Sequence, residues 1–116
     1  MLNDILKQER GAAGAKLTGI CPVFTSTIAA ARALDSGQAV AVVPDPSFTM
    51  RSMDIADVDV DIYLVYPQLD EDAARDYFTE AFFALLPFEK AVPQMVDVGD
   101  QQFFAYRITF TNTYNL

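Results

Sequence analysis

Hydrophobic and polar residues alternate one by one between positions 57 and 62 of this chain. Successive side chains of a β-strand point to opposite faces, so this alternation predicts a strand with an apolar face and an acidic face. The apolar face consists of Val58, Val60, Ile62 and Leu64. The other face consists of Asp57, Asp59, Asp61, Tyr63 and Val65. The three carboxylates, called the acidic stripe below, repel one another, and we expect them to face water while the aliphatic residues pack into a core.

Helical patterns occupy much of the first third of the chain. Apolar residues within 2–10 fall on one side of a helix, which Gly11 and Gly14 are expected to end. Residues 28–35 are rich in alanine and predict a second helix. The hydroxyl side chains at 25–27 can cap the start of that second helix.

Several apolar runs predict further strands. Residues 17–24 are compatible with a short strand, which a proline restricts to a sheet edge or a turn. Residues 38–43 form a nearly continuous apolar run, which is typical of a buried strand. Residues 48–54 alternate only in part, and we interpret them as a loop or an irregular strand. Residues 91–98 and 101–114 flank a Gly-Asp pair and predict a terminal hairpin.

The longest predicted helix runs from residue 71 to residue 86. Asp70 is a suitable N-cap and Pro87 ends the helix. Its buried stripe is expected to contain Ala74, Tyr77, Phe78, Ala81, Phe82 and Leu85. Phe83 falls on the wet side of the helix and indicates a second packing surface, unless the following loop covers it through Phe88.

Together these elements indicate a single α+β domain over residues 1–116. We expect a mixed, mainly antiparallel sheet of four to five strands, packed against two to three helices. The predicted parts are an N-terminal helical segment at 1–36, strands within 38–66, a helix at 70–86 and a terminal β-hairpin at 92–114.

Composition and charge limit the classes of function that this chain can have. The chain is 52% apolar and contains nine Phe and five Tyr. So short a chain cannot bury all of these, which favours oligomerisation. Sixteen acids against eight bases give a net charge of −8, and the absence of a basic cluster argues against static binding to nucleic acid or an anionic membrane. Because the only cysteine is Cys21 and no leader-like or membrane-spanning run is present, we expect assembly in a reducing cytoplasm.

Catalytic and metal chemistry find little support in the sequence. The chain has no histidine, which removes the commonest general base and metal ligand. On a strand, Asp57 and Asp61 would lie about 13 Å apart, too far to share one ion. The sequence contains no glycine-rich phosphate loop and no nucleophile elbow. We therefore expect no enzyme, no catalytic residues, no bound metal and no cofactor.

Four segments follow one another in a familiar order. They are Val42-Val43-Pro44-Asp45-Pro46, the alternating strand 58–67, the helix 70–86 and the closing strand 104–110. With this layout, residues 39–114 resemble the phage tail-terminator (tail completion) proteins of siphophages, which are also called minor tail proteins. The resemblance implies a virion structural protein whose ring, commonly a hexamer, terminates the tail tube and joins it to the head-side connector.

The resemblance also implies partners and a location. The partners would be further copies of the chain, the major tail tube protein and the head–tail connector (stopper) protein, without a membrane. The location would be the virion tail, assembled in the cytoplasm of the host bacterium. In such a ring the acidic stripe (Asp57, Asp59 and Asp61) would line the lumen, and DNA would pass without specific binding because the stripe repels phosphates.

Ring closure requires two different patches on each subunit. The candidate interface residues are Phe83, Phe103, Arg107 and Thr109. An alternative function stays open, namely a small dimeric α+β module of ferredoxin-like outline, with a binding or regulatory role. The long terminal arm, residues 101–115, distinguishes the ring subunit from the dimeric module. A compact module would tuck the arm into a four-stranded sheet, whereas a ring subunit would use its loops and edge on a neighbour.

Overall fold

A computed structural model of the protein describes residues 2–68 and 70–116. In chain order the elements are α1 (Leu2–Ala15), β1 (Val23–Phe24), α2 (Thr27–Asp35), β2 (Val40–Val42), β3 (Ser47–Met50), β4 (Ile55–Tyr66), α3 (Glu71–Leu85), β5 (Ala91–Val98) and β6 (Gln101–Asn115). The predicted α+β class is confirmed, with a mostly antiparallel sheet. The sheet has six strands among the described residues, slightly more than the four to five expected.

The sheet is organised around β4. Strand order is β1-β2-β4-β6-β5, and β3 pairs with β4 beyond the end of β2. The second half of β4 pairs with β2, with Tyr63 opposite Val42, while the first half pairs with β3, with Asp59 opposite Ser47. On its other edge, β4 pairs with β6 over all twelve of its residues. Among the described strands, β1 and β2 form the one parallel pair, since α2 carries the chain back between them.

Each face of the sheet has its own core. On one face, called the first core, α1 and α3 cover β4 and β6, and Val58, Ile62 and Ile108 are fully buried there. On the other face, called the second core, α2 packs near one end of the sheet, over Val65 and Phe103. Full burial of an aliphatic side chain contributes about 1.5–3 kcal/mol, so these clusters supply most of the force that holds the layers together.

The helix caps follow the predicted chemistry. The Asp70 carboxylate accepts hydrogen bonds from the amides of Asp72 and Ala73, at 3.1 and 3.2 Å. The Ser26 hydroxyl accepts one from the Ala29 amide at 3.1 Å. Because these side chains satisfy amides that the first turn leaves unpaired, α2 and α3 begin where the sequence indicates.

The N-terminal third corrects two expectations. α1 continues to Ala15 instead of ending at Gly11, because Ala13 packs into the first core and is only 6% exposed. A Cβ atom on Gly14 would lie 3.2 Å from Val23 Cγ1, so the glycine allows α1 to approach β1 closely. This packing outweighs the cost of a helical glycine, about 1 kcal/mol. Of the apolar run 17–24, only the last two residues form a strand.

Residues 48–54 also differ from the expectation, whereas the terminal hairpin agrees with it. The segment predicted as a loop or irregular strand contains the regular strand β3, which accounts for part of the higher strand count. The terminal hairpin forms as predicted, and its second arm, β6, pairs along its length with strands of its own chain. The arm is therefore not a free edge. The outer strands of the sheet are β1, β3 and β5.

Candidate functional site

The acidic stripe lies on β4, on the face opposite to the first core. Asp57, Asp59 and Asp61 are partly exposed, whereas the alternating Val58 and Ile62 are fully buried. The predicted division of the strand into a core side and a side that reaches water is confirmed. Alternate residues of a strand are about 6.6 Å apart, so the three carboxylates form a row about 13 Å long.

Each carboxylate of the stripe has a threonine partner on β6. The register places the two residues of each pair directly opposite one another. The threonine Oγ1 atoms donate to the aspartate Oδ1 atoms at 2.6, 2.5 and 2.5 Å for the pairs Asp57–Thr113, Asp59–Thr111 and Asp61–Thr109. Hydrogen bonds to a charged acceptor are short and comparatively strong, so the carboxylates are held in fixed orientations. We call this arrangement the Asp–Thr ladder.

The neighbouring strand β3 adds hydroxyl groups but little neutralising charge. Thr49 lies opposite Asp57, and Ser47 lies opposite Asp59. The Nε atom of Arg51 is 3.7 Å from Asp57 Oδ2, and the Arg51 side chain is 61% exposed. Exposed ion pairs of this kind contribute little, so the ladder remains a negatively charged surface.

The same sheet face is apolar at one end and acidic at the other. Tyr63 and Val65 continue the stripe side of β4 and pack in the second core beside α2. Beyond them the threonines of the ladder, Thr109, Thr111 and Thr113, are all exposed. The face is therefore divided into a half that α2 covers and an open, acidic half.

The predicted interface residues do not form one patch. Phe83 is 71% exposed on α3, although Phe88 packs against the adjacent Phe82 with ring centroids 5.8 Å apart. Phe103, in contrast, is only 5% exposed and lies in the second core, so the expectation that it contacts a neighbouring subunit is wrong. The strand period does place it with Arg107 on one face, but α2 covers that end of the face.

The two remaining interface candidates lie on the opposite side of the sheet from Phe83. Arg107 is half-buried and lies opposite Tyr63, and Thr109 belongs to the Asp–Thr ladder. α3, which carries Phe83, packs on the first-core face. A contact through Phe83 and a contact through Thr109 would therefore use different faces of the subunit.

Two apolar surfaces were not anticipated from the sequence. The first is a groove of about 460 Å³ between α3 and the edge strand β5, lined by apolar side chains that include Phe78, Phe82 and Met95. The second is the end of the β3–β4 hairpin, where Phe48 is 44% and Met53 is 98% exposed. The sequence contained a signal for the exposed end of the hairpin, since residues 48–53 mix apolar side chains with Arg and Ser in a run that does not alternate cleanly.

The only cysteine lies beside α3 in a half-buried position. The Tyr77 hydroxyl donates to the Val40 carbonyl at 2.7 Å and lies 3.5 Å from Cys21 Sγ. Burial raises the pKa of the Cys21 thiol and raises the pKa of Tyr77. Both groups are therefore kept protonated near neutral pH, and the thiol has little nucleophilic character.

The described part of the chain shows neither a metal site nor a membrane-spanning helix. Within residues 2–68 and 70–116, no three His, Cys, Asp or Glu side chains are grouped closely enough to hold a metal ion. None of the helices in these two ranges has both the length and the apolar character needed to cross a membrane.

Comparison with known proteins identifies no relative of this chain. No model of a known protein family matches the chain. No curated protein matches it either. The Asp–Thr ladder, the exposed apolar surfaces and the resemblance in layout are the features that bear on function.

Proposed function

We propose that this protein is a structural protein of a phage or prophage tail, whose ring terminates the tail tube and joins it to the head-side connector. The observation that carries the proposal is the Asp–Thr ladder on the open half of the sheet. In a ring, this half of each subunit faces the lumen. DNA then passes along carboxylates that repel its phosphates, without specific binding.

The ladder suits a lumen because its charges are fixed. A single exposed carboxylate can turn away from an approaching phosphate, whereas Asp59, bonded to Thr111, stays in place. Repulsion between charges acts over a screening length of about 8 Å at physiological salt, which is comparable with the spacing of the row. The surrounding hydroxyl groups of β3 and β6 keep the surface wet and add no charge of their own.

The exposed apolar side chains support assembly. Large apolar side chains are exposed in the β3–β4 hairpin and again near α3 and β5, including Phe48, Met53, Phe83 and Met95. Grouped exposed apolar side chains commonly mark interaction sites. Two separate apolar regions on one subunit are what a head-to-tail contact requires, and such contacts form a ring when the rotation between copies closes. The partners of the ring would be the major tail tube protein on one side and the connector protein on the other.

A second candidate function is the dimeric binding or regulatory module. One observation favours it, because β6 is tucked completely into the sheet of its own chain. The sheet is nevertheless larger than a four-stranded module, and β1 and β2 are adjacent parallel strands. In a ferredoxin-like domain the two strands of a β-α-β unit are split by another strand, so the outline differs from that expectation.

Electron microscopy of the purified protein over a concentration series, combined with light scattering, separates the two functions. A closed ring with a central hole lined by the ladder is expected for the tail protein. A two-fold symmetric dimer at all concentrations would contradict the proposal and support the module. The gene neighbourhood is an independent check, since genes for a major tail protein and a tape-measure protein should lie nearby.

A further inference from the structure

The structure has two unpartnered apolar surfaces at opposite edges of its sheet. The first, called the hairpin tip, contains Phe48, Met50, Arg51 and Met53. The second, called the α3–β5 groove, is lined in its apolar part by Phe78, Phe82, Pro93, Met95, Phe104 and Tyr106. We propose that the hairpin tip of one copy of this protein inserts into the α3–β5 groove of a second copy. The inference rests on the proposed function, for which it names the contact between ring subunits.

The hairpin tip presents its apolar side chains where its own chain does not cover them. Phe48 lies opposite Val58 and Met50 lies opposite Ala56, and both partners are fully buried in the sheet. Phe48 and Met50 are nevertheless 44% exposed, since they extend past the part of the sheet that the helices cover. Met53, in the turn that follows, is 98% exposed. Three large apolar side chains are thus available on a short, hydrogen-bonded hairpin.

The groove offers a preformed aromatic surface of matching character. Tyr106 packs edge-on against Phe78 and Phe82, with ring centroids 4.9 and 5.2 Å apart. Met95, on β5, is 43% exposed at the groove. The volume of about 460 Å³ lies within the range of ligand pockets in proteins. The sulfur atoms of the tip methionines would meet aromatic rings, a favourable contact.

Charge complementarity supports a second copy as the occupant. The tip carries the exposed Arg51, whose contact with Asp57 is long at 3.7 Å. The groove wall carries Glu71, for which no ion pair is found in the described ranges, and Arg75, whose charge is offset by Asp72 at 3.8 Å. Arg51 of one copy can therefore pair with Glu71 of the next. In a chain of net charge −8, such a contact offsets part of the repulsion between copies.

The two surfaces cannot meet within one subunit. The tip lies on β3, beside residues 56–59 of β4. The groove lies beyond β6, whose segment under β5 pairs with residues 62–66 of β4. The surfaces are therefore at different edges, and about 20 Å apart along the strand direction. A contact between two different patches is heterologous and propagates from copy to copy, closing into a ring where the rotation between copies allows it.

The proposed contact also leaves the Asp–Thr ladder free. Phe48 and Met50 share the face of Val58 and Ala56, which is the first-core face. The groove lies on that same face, beside α3. The ladder is on the opposite face, so copies joined in this way keep their acidic surfaces exposed, and Arg51 leaves its long contact with Asp57 when it pairs with Glu71. This agrees with a ring in which one sheet face makes contacts and the other lines the lumen.

Pairwise cross-linking tests the contact. In a Cys21→Ala background, the single variants Met53→Cys and Met95→Cys are prepared, then oxidised separately and as a mixture. We expect an intermolecular disulfide in the mixture but not in either variant alone, because a heterologous contact brings position 53 to position 95. The matched control replaces Met95→Cys by Ile28→Cys, a site on α2 that is 87% exposed and outside both surfaces. The Ile28→Cys variant should form no intermolecular disulfide with Met53→Cys.

Each other outcome overturns the inference. Cross-linking of Met53→Cys with itself would mean a symmetric contact between tips, and equal cross-linking to position 28 would mean random collision. Absence of any product up to the highest attainable concentration would mean that the surfaces do not meet.

A second measurement uses charge in place of a cross-link. Met53→Glu changes a side chain that makes little contact in its own subunit, so the fold should be retained. The concentration of half-assembly, followed by light scattering, should rise roughly tenfold or more. If rings form unchanged in Met53→Glu, the inference fails while the ring proposal stands. If the Met53→Cys/Met95→Cys double variant links head to tail into open filaments without a ring, the inference stands and the terminator proposal fails.

Discussion

Thr111 Oγ1 donates a 2.5 Å hydrogen bond to Asp59 Oδ1, across two strands that are paired at this position. The two residues are 52 positions apart in the chain, and the same relationship recurs two residues away on either side. The recurrence turns three mutually repelling carboxylates into a regular surface. It links the stability of the sheet to the charge pattern on which the proposed function depends.

Replacing Thr111→Val should lower the free energy of unfolding by about 1 kcal/mol, because valine keeps the shape and removes the donor to a charged acceptor. Urea unfolding, followed by circular dichroism, measures the change. Thr49→Val is the matched control, since Thr49 also faces an aspartate of the stripe and donates to no carboxylate in the described part of the chain. Equal effects of the two substitutions would show that the hydrogen bond contributes nothing.

Replacing Asp57, Asp59 and Asp61 together by Asn should let assembled protein retain DNA, because Asn keeps an acceptor for the threonines and removes the charge that repels phosphates. Fluorescence anisotropy of a short duplex measures the retention. The control variant carries Asp→Asn at three exposed sites elsewhere, namely Asp35, Asp97 and Asp100. If that variant retains DNA to the same extent, net charge and not the ladder is responsible.

Assembly should strengthen as salt is added. Each subunit adds a formal charge of −8, so copies repel one another at low ionic strength. Screening over about 10 Å at 0.1 M salt relieves this repulsion. Light scattering between about 0.05 and 0.5 M NaCl follows the average mass. Dissociation on adding salt would indicate that attraction between opposite charges, such as Arg51 with Glu71, is stronger than the overall repulsion.

Stability should fall at alkaline pH because of Tyr77. Burial raises the pKa of its hydroxyl above the ordinary value of 10.0, so the folded state keeps a proton that the unfolded state loses. Below pH 10.0 the Tyr77 hydroxyl is protonated in both states, so its contribution to the free energy of unfolding does not change with pH. Above pH 10.0 the free energy of unfolding falls by up to about 1.4 kcal/mol for each pH unit. Urea unfolding at several pH values measures the slope.

The variant Tyr77→Phe provides the comparison for this slope. It should be less stable at neutral pH by about 1 kcal/mol, because the hydrogen bond to the Val40 carbonyl is lost. Above pH 10.0 its stability should fall less steeply than that of the unchanged protein. The same slope in both proteins would mean that other groups cause the alkaline loss.

Local patterns were sufficient for much of the fold. The alternation on β4 identified both its buried and its exposed side, and Asp70 and the hydroxyl residues 25–27 marked the starts of their helices. Both features depend only on residues that are close in the chain. The two sides of β4 follow from the period of the strand, and the helix starts follow from the unpaired amides of the first turn. The terminal hairpin was found for the same reason.

The sequence missed what depends on contacts between distant segments. Phe103 has the alternation of an exposed interface residue, yet α2 covers it. α1 passes through Gly11 because Ala13 is held in the core, and β3 is a strand because β4 offers it a partner edge. In each case a tertiary contact overrides the local pattern, and for Gly11 the local preference that it overrides is about 1 kcal/mol.

The sequence by itself determined that Asp57, Asp59 and Asp61 share one side of a strand, because side-chain direction follows from the period of two. Only the tertiary structure decided that Thr113, Thr111 and Thr109 lie opposite them, and that the hairpin tip and the α3–β5 groove stay uncovered at different edges. The register between β4 and β6 is set by the packing of residues about fifty positions apart, which no local pattern encodes.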